Sequence, residues 1–301
     1  MPLLRRLERA YLAPAPAERL AALRLLVGAF ALIFLLIRLP HLASFGHLDP
    51  AGFRPIGVVD LLTGAPPPDP LVLTLVVAAA LSGAAFALGW RFALSGPLFA
   101  LLLLWVTTYR NSWGMVFHTE NLMVVHVLVL GFTRSADAWS LDARRRPPPE
   151  QQHPRYGWPL RLAAAITALA YLLAGIAKLR HSGLDWITSD ILRNYVAWDN
   201  LRKAELGDTY SRFGAALCRH PALFKPLAAV SIAFELFAPL ALLSRRLAAL
   251  WAIVAWSFHV GVLAIMWIFF PYPLLGVAYA PFFEIERLPF FRRLRRPHGS
   301  A

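Results

Sequence analysis

A chain of 301 residues that is 58% hydrophobic and 16% charged, with mean hydropathy +0.55, carries too few charges for an ordinary soluble surface. Soluble domains have about a quarter charged residues, so lipid is the main solvent here. The net charge of +13 does not indicate a nucleic-acid partner, because the basic residues form short clusters between apolar runs and act as topology signals. A single cysteine, Cys218, excludes an internal disulfide and a cysteine-rich metal site.

A helix crossing a hydrocarbon core of ~30 Å needs about 20 mostly apolar residues at ~1.5 Å of rise each. Arg5, Arg6 and Arg9 precede the first apolar stretch as they would in a signal peptide. Pro14 and Pro16 interrupt the approach, however, and no small-residue cleavage site follows, so the first span is expected to be retained. Runs of sufficient length lie at 20–37, 69–89, 92–109, 117–134, 158–178, 223–243 and 247–267. The last apolar stretch, 268–283, contains Pro271, Pro273 and Pro281 and reads either as a short eighth span or as a re-entrant segment. The expected fold is therefore all-α, a polytopic transmembrane bundle of about eight membrane segments with short interfacial helices in the outer loops around Trp186, Tyr195 and Trp198. Residues 1–17 form a cytoplasmic N-terminal segment, 18–285 the transmembrane domain and 286–301 a basic cytoplasmic tail. With both termini cytoplasmic in a plasma (inner) membrane, most of the 30 basic residues fall on the inner side, including Arg19, Arg24, Arg91, Arg134 and the run Arg144 to Arg146.

An ionisable or strongly polar side chain inside a span is costly unless paired or hydrated, so each is a candidate for function. Lys178 closes the fifth span in YLLAGIAKL, where Tyr171, Ala174, Gly175 and Lys178 share one helical face and the two small residues admit a neighbouring helix. It reads either as a lysine snorkelling to the outer interface or as a desolvated base, a role arginine cannot fill. Glu235 lies mid-span with Pro239 four residues on, whose ring clashes with the carbonyl of residue 235 and kinks the helix. It reads as structural helix glue or as a proton donor and counter-ion. His259, among Trp251, Trp256 and Trp267, reads as a helix-bridging hydrogen-bonding group or as a ligand. His118 and Asn121 share a face at the head of the fourth span in FHTENLMVVHV, and His126 turns away from them; a heme between His126 and His259 is the weaker reading of the two histidines. No HExxH pair, phosphate loop or serine elbow is present.

The ordered set LRLLVGAF, HTENL, YLLAGIAKL followed by DW, FELFAPLALLSRR and FHVGVLAIMWIFFPYP resembles the HTTM domain. That domain is the membrane portion shared by vitamin K-dependent gamma-carboxylase and many small bacterial membrane proteins. The resemblance covers residues 18–285. It implies that Lys178 corresponds to the lysine that starts hydroquinone oxygenation in the vertebrate enzyme. It also implies that His118, or Asn121 if the local match is shifted, corresponds to a supporting histidine, and that Glu235 and His259 are polar positions recurrent in such sequences. The implied cofactor is a quinone or vitamin K-like hydroquinone, with Tyr171 and Asn121 as candidates to bind it. Nothing here is comparable to the large lumenal domain of the vertebrate enzyme, so a membrane site for a hydrophobic small molecule is expected rather than peptidyl-glutamate carboxylation. The expected partners are the lipid bilayer and a hydrophobic small molecule or quinone, with a secreted peptide as a further candidate and no nucleic acid. Two functions compete: a quinone-linked oxidoreductase or carboxylase-like enzyme with Lys178 as base, and a non-catalytic membrane component such as a lipid or small-molecule transporter or an accessory or immunity factor for a secreted peptide.

Overall fold

The structure is a computed structural model that describes residues 11–293, so Arg5, Arg6, Arg9, Arg295 and Arg296 of the expected inner clusters lie outside the described residues. Among the described residues every named element is helical, and one isolated bridge pairs Ala15 with His153. The principal helices are α1 (Ala17–Ser44), α2 (Asp69–Leu88), α3 (Phe92–Asn111), α4 (Asn121–Gly131), α5 (Pro154–Ser182), α6 (Ile191–Glu205), α7 (Phe224–Leu236) and α8 (Arg245–Met266). The chain divides into two compact units, Met1–Ala163 with Glu284–Ala301 and Ala164–Phe283, the division falling inside α5.

Among the described residues five helices, α1, α2, α3, α5 and α8, are long and apolar enough to cross a membrane. They coincide with five of the expected runs, and the other three expected segments take a different form. The run 117–134 yields only the 11 residues of α4, about 16 Å of helix. Its first residues are drawn into a turn instead, because the Asn111 side chain accepts from Phe117 N (3.1 Å) and donates to Phe117 O (2.9 Å). The run 223–243 is broken after α7, where a short 3-10 turn, Ala238–Leu242, follows. Pro239 has no N–H to continue the ladder, which places the break where the sequence puts the kink. The stretch 268–283 holds a four-residue helix, Pro271–Leu274, and a 3-10 turn, Val277–Phe282, separated by Gly276 at φ 76°.

In the first unit the helix ends are closed by arginine. Arg24, expected on the inner side, is fully buried. Its guanidinium donates to Ser135 O (3.0 Å), Phe86 O (2.9 Å), Ala87 O and Trp139 O (2.7 Å). Phe86 and Ala87 are at the end of α2, where carbonyls have no partner within the helix. Gly89 ends that helix at φ 63°, and a side chain there would collide with Ser140. Arg19 is paired with Glu284 (2.9 Å) and Glu286 (2.8 Å), and Arg110 with Glu120 (3.0 Å). The loop after α1 packs Phe53 and Val59 against Tyr109 and Trp113.

In the second unit the segment 183–222 closes the end of α8. The last carbonyls of α8 accept from Ser211 Oγ at Ala264 (2.5 Å), Asn200 Nδ2 at Ile265 (2.9 Å) and Lys203 Nζ at Met266 (2.6 Å). α6 thus buries its polar face on a helix terminus and leaves Tyr195, Trp198 and Leu201 exposed.

Candidate functional site

The second unit gathers most of the polar side chains singled out within the spans. Gly175 of α5 lets α7 approach so closely that a Cβ there would sit 3.0 Å from Glu235 Cβ. One turn later on the same face, Lys178 Nζ lies 2.5 Å from Glu235 Oε1. The glutamate side chain is 3% exposed and the lysine 21%, so the carboxylate is the buried partner and the ammonium sits at the rim. Lys178 Nζ also stands over the rings of Trp186 (5.3 Å) and Phe258 (5.7 Å), whose π faces favour a cation. The indole of Trp186 is oriented toward Ser231 of α7 (3.4 Å).

Two turns toward the N-terminus of α5, Tyr171 forms a second polar centre. Its hydroxyl lies 2.8 Å from His259 Nε2 and 3.1 Å from the Tyr279 hydroxyl. Phe234 packs edge-on against Tyr171 and tilts against Phe258, the residues adjoining Glu235 and His259 respectively. Trp251 packs against both Tyr171 and Tyr279 and donates its N–H to Phe234 O (3.0 Å). The Lys178–Glu235 pair and the imidazole–phenol–phenol chain therefore share one aromatic wall.

Two buried atoms in this setting have no hydrogen-bond partner among the described residues: Glu235 Oε2 and His259 Nδ1. Buried polar atoms are almost always satisfied, so each is a position at which a bound molecule gains a hydrogen bond that the protein alone does not supply. Glu235 Oε2 accepts, and His259 Nδ1 accepts or donates according to the tautomer.

His118 and Asn121 belong to the first unit and are exposed there. His126 is fully buried in that unit, with Nε2 3.1 Å from Ala163 O. The Nε2 atoms of His126 and His259 are thus each engaged in a hydrogen bond within their own unit. Tyr279 and Phe258 were not singled out in the sequence, and Trp186 was read only as an interfacial residue of an outer loop. Tyr279 lies in the run GVAYAPF, where a tyrosine reads as one more apolar residue; its hydroxyl, the one polar group in that run, was the available signal.

The HTTM domain family matches residues 12–286. The chain belongs to the HTTM domain family. No curated protein and no solved structure matches it. In this HTTM protein both polar centres, and the helix break after α7 that flanks them, lie within the matched region.

Proposed function

We propose that this HTTM protein is a plasma-membrane enzyme that carries out acid–base chemistry on a hydroquinone-like hydrophobic molecule, with Lys178 as the base. The observation that carries this reading is the Lys178–Glu235 contact of 2.5 Å beside a carboxylate oxygen that has no other partner. Two unsatisfied polar atoms, Glu235 Oε2 and His259 Nδ1, among aromatic side chains suit a flat molecule bearing hydroxyl groups. Such a molecule, when bound, would supply an acidic hydroxyl, and its two electrons and two protons would reduce dioxygen to hydrogen peroxide as it becomes the quinone.

In a low-dielectric setting an ion pair can be neutralised by moving one proton across it. Glu235 then holds the proton and Lys178 Nζ becomes a neutral amine. The amine takes a proton from a substrate hydroxyl, which leaves an ammonium beside the substrate anion and keeps the charge balanced. Tyr171, between His259 and Tyr279, orients the imidazole whose Nδ1 faces a second polar group. The family analogy alone offers His118, in the segment before α4, or Asn121, the first residue of α4, as the supporting residue.

The same reading has both termini cytoplasmic, supported by the arginine distribution, with α4, the broken segment 224–242 and the stretch 268–283 completing eight segments that cross or enter the bilayer. Once Cys218 is replaced by alanine, a cysteine placed at Arg145 should resist an impermeant thiol reagent added to intact cells. Labelling there from outside overturns the orientation.

Activity is tested with protein in lipid nanodiscs supplied with a naphthohydroquinone, by following oxygen uptake. Lys178→Arg keeps the positive charge and loses the neutral state, since guanidinium stays protonated at working pH. Loss of a general base removes about 10²–10⁴ in rate, so Lys178→Arg and Lys178→Ala should both be nearly inactive at matched expression. Full activity in Lys178→Arg overturns the base assignment, and no hydroquinone-dependent uptake by the unaltered protein overturns the substrate class.

A second reading, a non-catalytic transporter or accessory factor, is favoured by the Gly175 contact, which makes the ion pair a clasp between α5 and α7. It has Lys178→Arg retaining whatever phenotype the protein confers.

A further inference from the structure

The arginine-rich end of the first unit contains a cleft of about 430 Å³ that the proposed chemistry does not use. It is bounded by the start of α3, the end of α4, the turn that follows α4 and the start of α5. One wall is apolar: Ala93, Pro97, the largely exposed Phe132, and Trp158. The other carries Arg134, Arg146 and Arg155. The close crossing of α3 and α4 beneath it is fixed by glycine, since a Cβ on Gly96 or Gly131 would lie 2.6 Å from the other's carbonyl oxygen.

The acids in the cleft are already engaged. Asp142 accepts from the backbone N–H groups of Arg91 (2.9 Å) and Phe92 (2.8 Å), capping α3. Asp137 accepts from the Tyr156 hydroxyl (3.1 Å) and pairs with Arg146 at 3.9 Å. The arginines are less fully used. Arg134 is exposed, and its side chain makes no ion pair or hydrogen bond among the described residues. Arg155 meets Glu150 only at 3.5 Å, and its Nε is buried with no partner.

We infer that this cleft binds the phosphate headgroup of an anionic amphiphile. Guanidinium groups match phosphate oxygens in a planar, two-pronged geometry, and basic pockets at the ends of membrane helices recognise anionic lipid headgroups in this way. A site for free phosphate has no use for an exposed phenylalanine and a proline wall. An acyl chain laid along Phe132, Pro97 and Trp158 uses both, with the headgroup at Arg134 and Arg155.

Native mass spectrometry of the full chain in detergent, titrated with phosphatidylglycerol or phosphatidylcholine, tests this. Phosphatidylglycerol should bind more tightly than phosphatidylcholine. Arg134→Gln/Arg155→Gln should weaken phosphatidylglycerol at least about tenfold, and Arg134→Gln alone should weaken it without changing the melting temperature, because the Arg134 side chain has no ion pair or hydrogen bond among the described residues to lose. Ala93→Trp, which fills the apolar wall and spares every charge, should weaken it about fivefold or more. Equal binding of the two lipids, or unchanged binding in the double arginine variant, overturns the site. Displacement by millimolar inorganic phosphate together with a silent Ala93→Trp shows a free-phosphate site and overturns the amphiphile assignment.

Discussion

Arg24 in the first unit and Lys178 in the second are both cations on membrane-length helices, yet their surroundings differ in kind. Arg24 is fully buried and donates to four backbone carbonyls drawn from the end of α2 and the turn after α4. None of those acceptors can change protonation. Lys178 is only partly buried and faces a titratable carboxylate across a single short contact, beside a second chain of titratable groups in Tyr171, His259 and Tyr279. The first arrangement fixes helix ends and leaves the arginine no chemistry to do. The second lets a proton move, and it leaves Glu235 Oε2 and His259 Nδ1 without protein partners. A charge in a span thus becomes informative about function through what it meets, not through being charged.

The sharpest way to break this contrast is Arg24→Ala. It strips the last turn of α2 and the turn after α4 of their donor, in a site too buried for ready replacement by solvent. Leaving several buried carbonyls unsatisfied should cost about 3–5 kcal/mol, enough to collapse expression or lower the melting temperature strongly. Thermal unfolding followed by tryptophan fluorescence in detergent provides the measurement. A variant that melts like the unaltered protein would show that Arg24 is not a structural closure.

The positions of five long helices were legible because lipid imposes one rule, a sustained apolar run, and the runs containing α1, α2, α3, α5 and α8 obey it without interruption. The break after α7 was legible from Pro239 alone, since the lost N–H is a local fact. The shortening of α4 was not, because hydropathy does not register the grip of Asn111 on Phe117. Lys178, Glu235 and His259 stood out as costly residues, and the small residues Ala174 and Gly175 marked where some neighbouring helix would approach. Their partners did not stand out. Lys178 meets Glu235 across 57 residues of sequence, and Tyr171 meets His259 across 88, separations at which spacing carries no information. The partners of Arg24 did not stand out for the same reason: it borders an apolar run like any flanking arginine, and only the tertiary fold brings the end of α2 and the turn after α4 around it.

A double-mutant cycle at Lys178 and Glu235 sharpens the second half of the comparison. Lys178→Met leaves a carboxylate that is 3% exposed without its cation, and should cost about 2–3 kcal/mol. Glu235→Leu leaves an ammonium that is 21% exposed and able to reach water along its stem, so about 1 kcal/mol is expected. The double variant should recover most of the loss, because apolar replacement of a paired site is nearly neutral when volume is kept. Additive losses would mean that the two side chains do not interact as an ion pair.

The smallest effect is expected at the tyrosines, where the comparison can be made within one chain of hydrogen bonds. Tyr171 touches both His259 Nε2 and the Tyr279 hydroxyl, whereas Tyr279 is joined to the histidine only through it. Tyr171→Phe removes both contacts and leaves a buried imidazole with neither ring nitrogen bonded to a phenol. Tyr279→Phe keeps the Tyr171–His259 contact. The first should cost about 1–2 kcal/mol and the second about 0.5–1 kcal/mol, as expected for two hydrogen bonds against one. If the chain serves only packing, activity in both variants should track these modest stability losses. If it orients His259 for chemistry, Tyr171→Phe should lower the hydroquinone-dependent rate well beyond its effect on stability, while Tyr279→Phe should not. Equal kinetic losses in the two variants would remove Tyr171 from its position as the hub and leave the ion pair as the sole reactive feature of the second unit.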